Sequence, residues 1–310
     1  MKTRPFKQVD VFTSQPYFGN PLAVVLDGSG LDGAAMQRFA HWSNLSETTF
    51  VLPPEDPSAD YSVRIFTPGG ELPFAGHPTL GTCHAWLQAG GQPKRQDVIV
   101  QQCQVGLVPI RREGVRLAFA APPLKRSAPS PVVLAQIAAA LGLKAQHIVA
   151  AQLLDNGPVW LGLLLDSADT VLQLEADHLA LKKMGIKVGV AAAHAAQSAP
   201  VLIARKNREA RAFGGSTQPA PAEAAGADFE VRAFAASIGI NEDPVTGSLN
   251  ASLAQWLIAD GHASDNYTVA QGTCLGRAGR VHLSQETTDG TTQVWVGGES
   301  VTCIAGTVTL

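Results

Sequence analysis

Three side chains sit where proton chemistry could occur. Glu47 lies in Ser46-Glu47-Thr48-Thr49-Phe50, between a helix-like run and an apolar strand-like run. A carboxyl walled by Leu45 and Phe50 has its pKa raised by desolvation, which suits an acid/base working near neutral pH. The same segment also fits a solvated carboxylate at a helix end. His77, in Gly76-His77-Pro78-Thr79, falls at or near the first position of a helix. That position favours a neutral imidazole able to donate or accept a proton, and equally admits a ring satisfied by backbone. Asp243 lies in Glu242-Asp243-Pro244-Val245-Thr246-Gly247-Ser248. Thr246 to Ser248 read as a capping and anion-binding turn, and capping alone would account for Asp243 and Ser248.

The elements that must position these residues occur twice. A strand-like run at 61–67 precedes the Gly76 turn, and a helix-like run at 77–89 follows it. A strand-like run at 229–235 precedes the Asp243 turn, and a helix-like run at 248–259 follows it. Tyr61-Ser62-Val63-Arg64-Ile65-Phe66 matches Phe229-Glu230-Val231-Arg232-Ala233-Phe234 at an offset of 168 residues. Ala85-Trp86-Leu87-Gln88-Ala89 resembles Gln255-Trp256-Leu257-Ile258-Ala259 at an offset of 170. This pattern reads as an ancient duplication, far longer in period than a solenoid repeat. If the halves pack face to face, two helix N-termini converge on one cleft. Unpaired N–H groups and the helix dipole there favour a carboxylate.

The rest of the chain alternates strands and helices. Strands are expected at 6–13, 22–26, 98–105, 108–112, 115–120, 147–154, 158–165, 187–193, 200–205, 267–271, 279–284, 292–296 and 300–310. Helices are expected at 32–42, with Asp32 as N-cap, and at 131–141, 167–174 and 177–184. Gly19 and Asn20 are read as turn residues able to take positive φ. The proline-rich stretch 122–131 is the best domain boundary, and 207–228 reads as an exposed loop. The expected domains are 1–121, joined by the final strand 300–310, and 122–299.

Composition narrows the function. The chain has 310 residues, 45% of them hydrophobic and 16% charged, and a net charge of −3. That charge makes no electrostatic case for nucleic acid or an anionic membrane surface. No apolar run reaches the length of a membrane span, and the basic N-terminus lacks the apolar core of a secretory signal. Cys83, Cys103, Cys274 and Cys303 show no metal-ligand spacing and read as reduced thiols of a cytoplasmic protein. There is no phosphate-loop motif, no H-E-x-x-H and no G-x-S-x-G. The glycine-rich Gly272 to Gly279 departs from the dinucleotide fingerprint. Acid/base chemistry without a cofactor or metal remains.

These residues carry a family resemblance. Phe18-Gly19-Asn20-Pro21, Ser46-Glu47-Thr48, Glu71-Leu72-Pro73-Phe74-Ala75-Gly76-His77-Pro78-Thr79, Glu242 to Ser248, Gln271-Gly272-Thr273 and Gly297-Gly298 resemble the PhzF family of phenazine-biosynthesis isomerases. The resemblance spans nearly the whole chain. It implies an α+β, diaminopimelate epimerase-like fold: two pseudo-symmetric domains, each with an antiparallel, barrel-like sheet around a central helix. It also implies a cofactor-free homodimer acting on a small carboxylated substrate, as the phenazine enzyme acts on a dihydro-hydroxyanthranilate. By motif position, Glu47 would be the proton shuttle and His77 and Asp243 its catalytic partners. Gly76, Gly247 and Ser248 would bind substrate. Related racemases place a cysteine at each turn, whereas the matching turns here hold Gly76 and Asp243. Two other readings stay open: a non-catalytic binder of a small acid, and an epimerase or racemase working through carboxylates.

Overall fold

The protein is described here by a computed structural model covering residues 1–194 and 226–310. The strand expected at 200–205 lies outside the described residues, as does the loop expected at 207–228 apart from its last three residues.

The sheet is one connected network. Its centre is the antiparallel pair of β8 (Arg116–Ala120) and β17 (Thr291–Gly298), with Phe119 opposite Val296. On one side, β8 continues into β7 (Gly106–Glu113), β6 (Val98–Cys103) and β4 (Tyr61–Thr67). β3 (Glu47–Leu52), β2 (Asn20–Val25) and β1 (Thr3–Val11) follow. On the other side, β17 continues into β16 (Gly279–Thr288), β15 (Asn266–Gln271) and β13 (Phe229–Ala235). β12 (Val188–Ala193), β11 (Val159–Leu165) and β10 (Ile148–Asp155) follow. Two short strands, β5 (Gly70–Leu72) and β14 (Ile240–Asp243), pair with β4 and β13. The order of pairings outward from the β8–β17 seam is therefore the same on both sides.

The ends of the network exchange strands. β9 (Lys125–Ser127) follows β8 in sequence but pairs with β10. β18 (Ser300–Thr309) follows β17 but pairs with β1, Thr3 opposite Thr309. The proline-rich stretch thus contains a strand, where composition alone reads as linker. Each exchange gives the edge of one half backbone partners it would otherwise lack.

The expectation of antiparallel sheets needs correcting, because the network is mixed. β2 runs parallel to β3, β4 to β6, β11 to β12 and β13 to β15. Each of these connections contains a helix, which is long enough for a parallel crossover. α1 (Gly33–Ser43) links β2 to β3, and α2 (Gly76–Gln88) precedes β6. α4 (Ala168–Leu172) and α5 (His178–Met184) lie between β11 and β12, and α6 (Gly247–Ala259) precedes β15.

α2 and α6 are the central helices. Leu80, Cys83 and Ala85 of α2 belong to one apolar core with Leu249, Leu253, Trp256 and Leu257 of α6. A second core packs α3 (Pro131–Ala140) and α5 on β11 to β13, and a third packs Met36, Phe39 and Ala40 of α1 on Phe50 and Phe66. The helices start 171 residues apart, so Trp86 is the eleventh residue of α2 and Trp256 the tenth of α6. The tryptophans paired by sequence are therefore not equivalent. Trp86 packs on Tyr61 with ring centroids 5.1 Å apart, whereas buried Trp256 donates its N–H to Asp260.

The strand repeat does carry equivalent interactions. Arg64 pairs with Glu71 through two hydrogen bonds and lies 5.0 Å from the Phe66 ring centroid. Arg232 pairs with Glu242 in the same way and lies 5.0 Å from the Phe234 centroid. Each arginine ties its strand to the turn that leads into a central helix.

Candidate active site

The first turns of α2 and α6 meet. A Cβ built on Gly247 would lie 3.2 Å from Gly76 Cα and 3.3 Å from the His77 backbone nitrogen. A Cβ on Gly76 would lie 2.6 Å from Phe119 Cζ. A side chain at Gly76 would force the Phe119 ring to shift, and one at Gly247 would press on the backbone of the first turn of α2.

These two helices also differ from the others at their N-termini. Asp32, Ser130, Ser167 and Asp177 cap α1, α3, α4 and α5 with side-chain hydrogen bonds. Ala75 and Thr246, which precede α2 and α6, make none. Asp243 and Ser248 are therefore not caps of α6, contrary to the plainer reading of the sequence. Two N-termini lacking side-chain caps face each other, and their orphan N–H groups and dipoles attract an anion.

Glu47 opens β3, opposite Leu22 of β2. Its Oε2 lies 3.3 Å from His77 Nε2, with the side chains 14% and 6% exposed. Among the described residues, neither atom has a hydrogen bond of good geometry. Burial pushes the Glu47 carboxyl up to about 8, helped by the negative Asp243 and opposed by a hydrogen bond from Ser46. Burial pushes His77 down to about 3. At neutral pH this is accordingly a contact between a largely protonated acid and a neutral ring, not an ion pair. The solvated-carboxylate reading of Glu47 does not hold.

Asp243 ends β14. Burial pushes its carboxyl up to about 6, and the nearby Glu242 charge adds to the rise. Hydrogen bonds from Thr246 and Asn20 oppose it. Thr246 Oγ1 donates to Asp243 Oδ2 at 2.5 Å, and Asn20 Nδ2 donates to Oδ1 at 2.9 Å. Ser248 Oγ accepts from Trp160 Nε1 at 3.3 Å, and Asn156 Nδ2 donates to the Ser248 carbonyl. The fold thus gathers Glu47, His77, Asp243, Gly76, Gly247 and Ser248 from both ends of the sequence around the two helix starts.

Sequence reasoning missed the residues that hold this set. Asn20 is the buried first residue of β2, with no positive φ. Gly19 is needed for space, since a Cβ there would lie 2.3 Å from the Val11 carbonyl oxygen. The Gln271 amide binds the Asp243 turn and the first turn of α6. Its Nε2 donates to Asp243 O and Thr246 Oγ1, and its Oε1 accepts from Thr246 N and Asn250 Nδ2. Asn250 is buried in that network. The available signal was a polar residue at the end of an apolar strand, which does not name its partner.

Cysteine chemistry at the two turns finds no support. Cys83 is buried within α2, and burial pushes its thiol up to about 12.

Comparisons with known proteins agree with this architecture. Residues 9–306 match the family model PhzC-PhzF, described as phenazine biosynthesis-like protein. Trans-2,3-dihydro-3-hydroxyanthranilate isomerase of Pseudomonas fluorescens is 32% identical over 308 residues, covering 97% of this chain and 98% of that protein. Antisense-enhancing sequence 1 of Schizosaccharomyces pombe is 33% identical over 320 residues, covering 99% of each. The crystal structure of the PhzF-family phenazine biosynthesis protein of Bacillus anthracis superposes with a TM-score of 0.78 over all of both chains, at 22% identity. The chain belongs to the PhzF family of phenazine biosynthesis-like proteins.

Proposed function

We propose that the protein is a cofactor-independent isomerase that moves a proton, and with it a double bond, within a small carboxylated metabolite. The observation that carries this reading is the buried Glu47 carboxyl. It is held 3.3 Å from a neutral His77 beside two helix N-termini without side-chain caps. Burial poises Glu47 near 8, so at pH 7 roughly one molecule in ten carries the carboxylate and the rest carry the acid. A group balanced in this way can take a proton and give it back.

In the proposed step the substrate carboxylate lies against the first turn of α6, at Gly247 and Ser248, beside Gly76. Glu47 as carboxylate takes a proton from an sp3 carbon next to the conjugated system. The C–H electron pair moves into that system, and the double bond shifts. The Glu47 acid proton exchanges with solvent, and protonated Glu47 then delivers a proton at the far end, so nothing is oxidised or reduced. His77 and Asp243 hold the polar substituents and steady the developing charge.

The named activity of the Pseudomonas fluorescens relative makes trans-2,3-dihydro-3-hydroxyanthranilate the first substrate to try. The proposal extends to two pseudo-symmetric domains, 1–121 with 300–310 and 122–299, closing on the substrate. It also extends to a cytoplasmic homodimer. Proton NMR of the purified protein with that substrate in D2O tests the function. Isomer formation with deuterium at the new C–H position supports it. Deuterium exchange without bond migration would instead indicate an epimerase or racemase.

A further inference from the structure

We infer that Asn20 is a positioning residue that spans the cleft and fixes the Asp243 carboxylate relative to Glu47. Its side chain is fully buried at the start of β2, yet it bonds to a turn more than 220 positions away. Nδ2 donates to Asp243 Oδ1 and to the Val245 carbonyl, both at 2.9 Å. Both partners are acceptors, so the amide orientation is determined: the NH2 group must face them. Oδ1 is then left towards Ser46, whose hydroxyl approaches it at 3.4 Å. Ser46 is the chain neighbour of Glu47, and its single hydroxyl proton can be given to Asn20 Oδ1 or to the Glu47 carboxyl, one at a time. The Asn20 amide therefore bonds the Asp243 carboxyl on one side and approaches Ser46, the neighbour of Glu47, on the other.

The mounting of Asn20 is rigid. Gly19 N donates to the buried Asp10 carboxylate at 3.1 Å, and the Gly19 site has no room for a side chain. Arg277 Nη1 donates to the carbonyls of Tyr17 and Gly19 from the other half of the chain. Val11 and Asn20 are opposed in the β1–β2 ladder. A residue present only to join the halves would need the Val245 contact alone. The second N–H, on a carboxylate, stabilises the charged form of Asp243.

Other ionisable groups bear on the same carboxylate. Glu242 is its neighbour on β14 and is paired with Arg232; Glu47 acts from β3, beside His77 of α2. Removing the Asn20 donor leaves burial and the Glu242 charge in place, so Asp243 should hold its proton to higher pH.

The catalytic part of this inference rests on the proposed acid/base reading; the titration part does not. The test is 13C NMR of protein labelled at Asp and Glu side-chain carboxyls, with Asp243→Asn and Glu47→Gln used to assign the resonances. Wild type is compared with Asn20→Ala and with the near-isosteric Asn20→Asp, which keeps the side-chain shape if the alanine variant fails to fold. The expected result is an upward shift of the Asp243 midpoint by about one unit in either variant. In turnover of trans-2,3-dihydro-3-hydroxyanthranilate, kcat should fall roughly 10- to 100-fold with little change in KM. The Asn20→Asp defect should shrink as pH falls, because a protonated carboxyl at position 20 restores one donor. An unmoved Asp243 midpoint in a folded variant would overturn the inference, as would a pH-independent loss of kcat. If wild type does not turn this substrate over, the substrate reading fails and the titration alone decides the role of Asn20.

Discussion

Gly76 and Gly247, 171 residues apart in sequence, place their backbones in contact: a single methyl on Gly247 would stand 3.2 Å from Gly76 Cα. This approach brings the first turns of two central helices together. Gly76→Ala drives a methyl into the buried Phe119 ring, and Gly247→Ala pushes on backbone that cannot swing away. Each is expected to cost about 1–3 kcal/mol in urea unfolding and to reduce kcat/KM by about 100-fold or more. Wild-type activity in either variant would show that the close approach is not needed.

Asp243 and Glu47 interact through charge, and this gives a pH signature. Activity that requires Glu47 as carboxylate should rise with pH through a midpoint of about 8. Negative Asp243 is one cause of that high value. Asp243→Asn removes the charge, so the Glu47 midpoint should move down even though kcat falls. A pH–rate profile of kcat/KM, or a direct carboxyl titration, measures it. A midpoint that stays or rises contradicts the assignment.

The same burial costs stability. A carboxyl raised to about 8 in the folded state, against 4.5 as its ordinary value, holds its proton where the unfolded chain has released it. Its favourable contribution is complete below 4.5 and is lost as pH rises towards 8. Glu47→Gln removes this dependence. The variant should match wild type near pH 4.5 and exceed it above pH 8 by up to a few kcal/mol. Buried His77 acts in the opposite sense, since its pKa is pushed down to about 3. Its contribution is present above 6.5 and is lost as pH falls through 6.5 towards 3, equally in both proteins. The difference between the two urea-unfolding series therefore reports Glu47 together with its charge coupling to Asp243.

The two arginine–glutamate pairs provide an internal comparison. Arg232 and Glu242 are buried, with side chains 8% and 7% exposed, whereas Arg64 and Glu71 are 32% and 22% exposed. Glu242→Gln leaves a buried guanidinium without its counter-charge and should cost about 3–5 kcal/mol. Glu71→Gln should cost about 1 kcal/mol or less. Equal losses in thermal or urea unfolding would remove burial as the deciding factor.

The candidate site residues stand out because they break local pattern, but each also fits a plainer reading, and their roles come from the family resemblance. A glutamate at the mouth of an apolar strand stands out against its neighbours, as do a histidine at a helix start and an aspartate ahead of a Pro-x-Thr-Gly turn. The strand repeat around Arg64 and Arg232 is also legible, because side chains that make the same pair keep the same spacing. Asn20 and Gln271 stand in motifs that carry the family resemblance, but their roles are not legible. Their partners lie in turns that only the folded sheet brings within reach, and a buried amide reads like a turn residue until its bonds are known. Sheet direction was hidden for a related reason: parallel pairing across a helix depends on the packing of that helix, not on the strand sequence. The β9 segment looks like a linker until the edge it covers is seen, whereas the final segment is read from the sequence as a strand joined to the first half, and it pairs with β1.

The central claim is that Glu47 itself carries the proton. The direct measurement is deuterium incorporation from D2O into the isomerised product by wild type and by Glu47→Gln, with substrate binding to both followed by calorimetry. The account predicts product labelled at the new C–H position with wild type. For Glu47→Gln it predicts binding within a few-fold of wild type and turnover reduced by at least about 1,000-fold. Wild-type kcat and labelling in Glu47→Gln would contradict it and place the proton transfer on another group.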